Sequence, residues 1–266
     1  MNFMEESRIK IDVEKFLTDG YYVGDIEEIF DDIELFNKNC DEICEFGKNR
    51  ENRFLKKFQY RFQYPEADRE GKPHQVFSFE EIEERDEHIK KNGFRTIQRW
   101  WERPAGGELE KYTKYFRNNV DKFLPKLYPD LDDNIQHHDA FTLYENGDFI
   151  ERHYDGRSTD RNCVILIYLS DPKDYNDGGG KLIVGKKDEE LHSVDPLRNK
   201  FVIMDFTKHD IIHEVEPVKN DFQRNTYITF VYNEEMYFRN EIEKGKRDKS
   251  FIKSYHPRAA KRIYGE

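Results

Sequence analysis

No apolar run in this sequence approaches the length a helix needs to cross a bilayer, and the opening MNFMEESRIK has no apolar stretch of the kind a secretory leader carries. A soluble, cytoplasmic protein that does not enter a membrane is therefore expected. Cysteine is scarce. Cys40, Cys44 and Cys163 are an odd number with no CxxC pair, which points to neither a disulfide framework nor a structural zinc site and suits a reducing compartment. Basic charge is in deficit too: 44 Lys and Arg face 55 Asp and Glu, a formal net charge of −11. An electrostatic grip on nucleic acid or an anionic membrane, which calls for a basic patch, is disfavoured. Repeats and low-complexity segments are absent.

What the chain has is length, charge and aromatic rings. A chain of 266 residues can bury a substantial core, as one large domain or as a catalytic domain with an added layer. Charged residues make up 37%, but an aromatic share of 15% lets Phe and Tyr supply much of the buried area. Between Asp12 and about Phe46 the pattern is mainly helical, with Ile26, Ile29, Phe30, Ile33, Phe36, Cys40 and Ile43 on one stripe. Cys40 and Cys44, one turn apart, could share a metal, yet core positions on that stripe account for them more simply. Residues 57–64, KFQYRFQY, alternate aromatic with polar and predict a half-buried strand whose aromatic face packs on helices rather than stacking a ligand. Ser78 and Glu81 form a capping box before a predicted helix that Asn92 and Gly93 end. Trp100 and Trp101, beside Arg99 and Arg103, either anchor a ligand or plug a gap between helices and sheet. Leu109, Tyr112, Phe116, Val120, Phe123 and Leu127 predict a helix to Tyr128, where Pro129 stops it.

Beyond residue 130 the character changes to short strands broken by Asn, Asp, Gly and Pro: Ala140 to Tyr144, Val164 to Leu169, Lys181 to Val184, Lys200 to Phe206 and Thr226 to Tyr232. Many short antiparallel strands with no long helix between them imply a jelly roll. The expected fold is α+β, a double-stranded β-helix (jelly-roll) core with an N-terminal helical layer packed against it. A mainly helical support region is expected over residues 1–130 and the jelly-roll domain over 131–235. A basic C-terminal tail follows over 236–266, where Lys244, Lys246, Arg247, Lys249, Lys253, Arg258, Lys261 and Arg262 make a solvated face or frayed end.

The chemistry concentrates in residues 141–155, FTLYENGDFIERHYD. Side chains two apart on a strand share a face, so His153 and Asp155 can reach one metal ion together. An imidazole nitrogen and a carboxylate oxygen are two thirds of the 2-His-1-carboxylate triad that holds non-haem Fe(II) with its opposite positions open. The second histidine is sought downstream, and His213, in the strand–loop–strand pattern FVIMDFTKHDIIHEVEPV, is the candidate. Eleven residues later Arg224, in RNTYITFVY, places a fixed cation on the next strand. A guanidinium can grip a carboxylate with a two-pronged, charge-assisted bond. Any one of the nine histidines is more ordinarily a satisfied core or surface residue; order and context set these apart. His137 and His138, adjacent on a strand, point to opposite faces and make no metal pair.

The succession HYD, GGGKLIVG, HEVEPV and RNTYITF resembles the Fe(II)- and 2-oxoglutarate-dependent dioxygenases, specifically their prolyl 4-hydroxylase-like branch. The resemblance covers roughly Asn134 to Asn233 and leaves out the first half of the chain, apart from a short likeness of FLTDGYYVGDI to the opening segment of many such enzymes. It implies a catalytic centre of Fe(II) on His153, Asp155 and His213, 2-oxoglutarate as co-substrate with its distal carboxylate on Arg224, O2, and ascorbate. It also implies that Tyr168 donates a hydroxyl to that carboxylate and that Tyr144 sits beside the co-substrate. The reaction implied is hydroxylation of an unactivated C–H bond with release of succinate and CO2, a prolyl residue or proline-like amino acid being the leading choice of substrate.

A small-molecule or peptidyl substrate is expected, and neither nucleic acid nor membrane. The nucleic-acid demethylases of the wider superfamily carry a second arginine six residues after the first, where this chain has Phe230. Asp155 removes the open ligand position that related halogenases use for halide. The turn KNDFQ ahead of Arg224 is slightly longer than in some relatives. Two other classes stay open. One is a non-catalytic jelly-roll binding or scaffold protein with the aromatic N-terminal half as its partner surface, which would have no need of Arg224. The other is a hydrolytic zinc site, for which no general base is evident near either histidine motif.

Overall fold

The computed structural model describes residues 10–48, 58–63, 75–77, 87, 96–101, 109–129, 135–155, 161–243, 245, 250 and 257–264. Asp12 caps helix α1 (Val13–Asp19), its carboxylate accepting from the Lys15 amide at 2.9 Å, and Gly20 ends the helix in the left-handed conformation with φ 77°. Strand β1 (Tyr21–Asp25) follows, where a mainly helical run to Phe46 was expected. Tyr21, Tyr22 and Val23 favour extended backbone, and a long-range partner strand satisfies their ladder groups. Helix α2 (Ile33–Lys48) buries Phe36, Cys40 and Ile43 of the predicted stripe together with Gly47, whereas Ile26, Ile29 and Phe30 are buried ahead of the helix, Ile26 in a single 3-10 turn. Cys40 is fully buried and the Cys44 thiol donates to the Leu169 carbonyl at 3.6 Å, so both cysteines serve packing.

Strands β2 (Phe58–Gln63), β3 (Gln75–Phe77) and β4 (Thr96–Trp101) come next. Trp100 and Trp101 pair through their backbones with Gln59 and Phe58, while their side chains, Arg103 and the predicted 78–93 helix, position 87 apart, lie outside the described residues. The helix predicted to reach Tyr128 is two pieces, α3 (Glu110–Asp121) and α4 (Leu124–Leu127). Pro125 explains the break, since it has no N–H to donate to the carbonyl four residues back. The remaining elements are β5 (Ile135–Tyr144), β6 (Ile150–Tyr154), β7 (Arg161–Tyr168), β8 (Leu182–Lys186), β9 (His192–Val194), β10 (Lys200–Asp205), β11 (Ile211–Val215), β12 (Arg224–Asn233), α5 (Glu234–Glu243) and α6 (Pro257–Tyr264).

The larger sheet has the order β1-β10-β7-β12-β5-β4-β2-β3 and the smaller β6-β11-β8-β9, every pairing antiparallel. The central strands are buried on both faces, and successive residues feed two different cores. On β7, Cys163, Ile165 and Ile167 pack with the helices, while Val164, Leu166 and Tyr168 point between the sheets. On β10, Phe201 and Ile203 face the helices, and Val202 and Met204 face the smaller sheet. The result is the expected α+β jelly roll with helices on one outer face. Phe116 of α3 stacks on Tyr227 of β12 with centroids 4.8 Å apart and meets Phe30, Phe36 and Phe141 edge-on, which is where the aromatic content is spent.

The first 130 residues are more than a helical layer. They lengthen the larger sheet at both ends, with β1 at one edge and β4, β2 and β3 at the other. After Asn233 the chain is also more than a frayed tail: α5 and α6 pack together through buried Phe238 and Ala260. No helix among the described residues is long and apolar enough to cross a membrane.

Candidate active site

Strands β6 and β11 lie side by side with His153 and His213 in direct register, their rings 4.1 Å apart between centroids. Nδ1 of His153 is 2.8 Å from the Glu151 carbonyl oxygen. A carbonyl only accepts, so Nδ1 carries the proton and Nε2 keeps its lone pair. Asp155 follows the strand, its Oδ1 3.4 Å from that Nε2. One ligand atom from each of His153, Asp155 and His213 lies within 4.8 Å of the others, the one such trio of His, Cys, Asp or Glu among the described residues. His213 is 8% exposed, whereas the side chains of His153 and Asp155 are 22% and 25% exposed. Two imidazoles and a carboxylate at the mouth of a barrel are a donor set that suits Fe(II) and leaves one side open.

Between the sheets Arg224, at the start of β12, is 2% exposed. Its Nε donates to the Gly180 carbonyl at 2.9 Å and Nη1 donates to the Thr226 hydroxyl at 3.1 Å. Its guanidinium carbon sits 5.1 Å from the centre of the Tyr144 ring and 5.3 Å from that of Tyr168. Tyr144 is its cross-strand partner on β5, and Tyr168 faces Thr226 on β7. No carboxylate pairs with Arg224 among the described residues. The Tyr168 hydroxyl is buried, and no hydrogen-bond geometry is completed there even with Arg224 close by. Burial pushes the Tyr168 pKa up to about 12, with the positive charge of Arg224 pulling the other way, so the phenol stays a neutral donor at ordinary pH. An unpaired buried cation beside a phenol with an unused hydrogen bond is a cradle for an anion.

All six predicted residues thus fall in two groups: His153, Asp155 and His213 at the mouth, and Arg224, Tyr144 and Tyr168 between the sheets. The decoys separate as expected. His137 bonds Asp121 and Thr229, while His138 lies against Tyr232 and Tyr237. Two supports were missed. Thr226 could have been found from its place two residues after Arg224 on one strand face. Gly180 could not, because its partner is 44 residues away. Its φ of 66° and an added Cβ only 3.1 Å from Arg224 Cδ show why glycine stands there.

Residues 140–232 match the family described as the 2OG-Fe(II) oxygenase superfamily. Over that span the sequence is similar to this superfamily. The matched span contains all six candidate residues. Among solved structures, a prolyl-4-hydroxylase from Pseudomonas putida matches with a TM-score of 0.53 at 17% identity, covering 83% of this chain and 96% of that one. A prolyl hydroxylase from Trichoplax adhaerens, in complex with a hypoxia inducible factor oxygen degradation domain peptide fragment, matches with 0.54 at 16%, covering 84% and 88%. An oxidoreductase of the 2OG-Fe(II) oxygenase family from Burkholderia pseudomallei matches with 0.51 at 12%, covering 84% and 90%. At these identities the likeness shows the oxygenase fold. No curated protein matches the sequence.

Proposed function

We propose that the protein is an Fe(II)- and 2-oxoglutarate-dependent hydroxylase whose metal is held by His153, Asp155 and His213 and whose co-substrate is held by Arg224, Tyr168 and Tyr144. The observation that carries this is Arg224, a buried guanidinium with no carboxylate partner among the described residues. An uncompensated buried charge costs several kcal/mol, and the distal carboxylate of a dicarboxylic acid would relieve it. Gly180 and Thr226 hold the guanidinium still by two of its nitrogens. Tyr168 adds a neutral hydroxyl donor, and Tyr144 presents its ring to the cation.

At the mouth, the Glu151 carbonyl fixes the His153 tautomer so that Nε2 is ready to ligate. His213 comes in from the adjacent strand and Asp155 supplies the anionic donor. Apolar Val164, Leu166, Val184, Val202 and Met204 between the sheets keep water from the cradle. When bound, Fe(II) with 2-oxoglutarate and O2 supplies an oxidant able to break an unactivated C–H bond, with succinate and CO2 released. The substrate we favour is a prolyl residue in a peptide, or a proline-like amino acid; the support is the fold shared with prolyl hydroxylases, one of them solved with a peptide. Ascorbate is the proposed accessory, and residues 131–235 the proposed catalytic unit.

The test is an anaerobic titration of metal-free protein with Fe(II) and then 2-oxoglutarate, followed by O2 and proline-containing peptides. A weak visible charge-transfer band that needs both components, then peptide that gains one oxygen atom with matching succinate, is the expected result. Metal binding without the band would point to a non-catalytic scaffold or a zinc site. The band without any oxidised peptide would keep the oxygenase chemistry and remove the prolyl substrate.

A further inference from the structure

Strict alternation along β6 would place Glu151, two residues before His153, on the metal side and Ile150 on the outside. The strand does the reverse. Its exposure runs intermediate, exposed, exposed, intermediate, exposed from Ile150 to Tyr154, and Ile150 packs into the core between the sheets. The register explains how: His213 faces His153, yet Val215, two residues on, faces Ile150 three residues back. One extra residue is thus accommodated in β6 as a bulge, with Glu151 and Arg152 together opposite Glu214. The bulge also turns the Glu151 carbonyl onto His153 Nδ1.

Across this bulge Arg152 grips Glu214 with a fork, Nε to Oε2 and Nη2 to Oε1, both at 3.0 Å. Glu214 is the neighbour of His213. The pair therefore ties the residue before one histidine to the residue after the other, on the opposite face of the strands. The arginine side chain is 55% exposed and its partner 26%, so the pair adds little to overall stability. We infer that the Arg152–Glu214 fork is a positioning pair, which locks the bulge so that His153 and His213 present their nitrogens to one metal ion. This rests on the metal centre proposed above. Neither residue touches the metal; the pair acts through the orientation of the two imidazoles.

The experiment titrates the metal-free full chain with Co(II), reading the dissociation constant and the visible ligand-field spectrum, beside thermal unfolding of the metal-free protein. Arg152→Ala and Glu214→Ala should each weaken Co(II) binding about 10- to 100-fold, as lost outer supports of metal ligands typically do. Each should alter the spectrum while leaving unfolding of the metal-free protein nearly unchanged. The double variant should lose no more than either single one, because one fork is broken in all three. Arg152→Lys should lose nearly as much as Arg152→Ala, since a lysine keeps the charge without the fork. Lys200→Ala, which breaks the exposed pair with Asp25 on the other sheet, should change nothing. Unaltered affinity and spectrum in the variants, with normal wild-type binding, would overturn the positioning role and leave the metal centre standing. Additive losses in the double variant would overturn the fork as a unit. Failure of the wild type itself to bind Co(II) would overturn the metal centre and this inference together.

Discussion

Replacing Arg224 with methionine, which keeps much of the length and removes the charge, separates a binding role from a structural one. Two hydrogen bonds from a charged donor disappear, to the Gly180 carbonyl and the Thr226 hydroxyl, each worth about 1.5–3 kcal/mol. Against that loss stands relief of a buried charge that has no carboxylate partner among the described residues, also several kcal/mol. The two nearly offset, so the ligand-free Arg224→Met protein should differ from wild type by less than about 2 kcal/mol. Affinity for 2-oxoglutarate should behave otherwise. Truncating one side of a buried charge pair costs about 2–5 kcal/mol, and 3 kcal/mol is roughly a 100-fold weaker complex. The assay is thermal unfolding with Mn(II) in place of Fe(II), so that no turnover occurs, with and without 2-oxoglutarate. At about 100 times its dissociation constant the ligand should stabilise the wild type by about 2.7 kcal/mol, and at the same concentration the variant by only about 0.4 kcal/mol. For a chain of this size that is a rise of roughly 5–10 °C against about 1 °C. Equal rises would show that another residue holds the carboxylate. A ligand-free variant destabilised by much more than 3 kcal/mol would show that Arg224 is a structural cation.

Other outcomes follow from the same geometry. His153→Ala and His213→Ala should each abolish retention of iron through desalting, measured by metal analysis; retention at wild-type stoichiometry would remove them as ligands. Gly180→Ala puts a side chain at φ 66° with its Cβ 3.0 Å from Val218 Cγ2 and 3.1 Å from Arg224 Cδ, so it should cost about 1–2 kcal/mol in stability and raise the KM for 2-oxoglutarate more than it changes kcat. Phe116→Ala, in the middle of the aromatic cluster, should cost about 3–5 kcal/mol by chemical denaturation. Burial pushes Tyr22 and Tyr168 up to about 12, and it also raises Tyr128 and Tyr227 well above the ordinary tyrosine value. Their unfolded forms ionise near pH 10, so the stabilisation is intact below about pH 10. It is lost above that, by up to about 1.4 kcal/mol per pH unit for each tyrosine. Unfolding free energies and tyrosinate absorbance across pH 9 to 12 check this, and tyrosines that all titrate near pH 10 in the folded protein would contradict it.

Much of the site was legible because its rules are local. His153 and Asp155 share a strand face by their spacing, and Arg224 heads a strand whose composition is unambiguous. The grouping with His213 needed only the inference that two strands pair. Ile150 carried a signal that was passed over: an apolar residue three positions before a site histidine in a strand demands a bulge, since alternation would leave it in water. Strand β1 was hidden for a different reason. Tyr21 to Asp25 are too few residues to outweigh the helical pattern on either side, and their conformation is decided by pairing with Lys200 to Asp205, far along the chain.

The sequence alone determined the alternation that sorts β7 and β10 between two cores, the helical stripes, the order of the candidate ligands and the charge that disfavours nucleic acid. All of these depend on neighbours within a few residues, where the helical and strand repeats act. Tertiary structure decided which strands lie side by side, and with that the register of His153 on His213. It also put β1 through β4 into the larger sheet, the Gly180 carbonyl on Arg224, and the Arg152–Glu214 fork across a bulge. Those depend on closing long loops around a shared core, and the free energy that selects among closures belongs to the whole packed chain rather than to any segment of it.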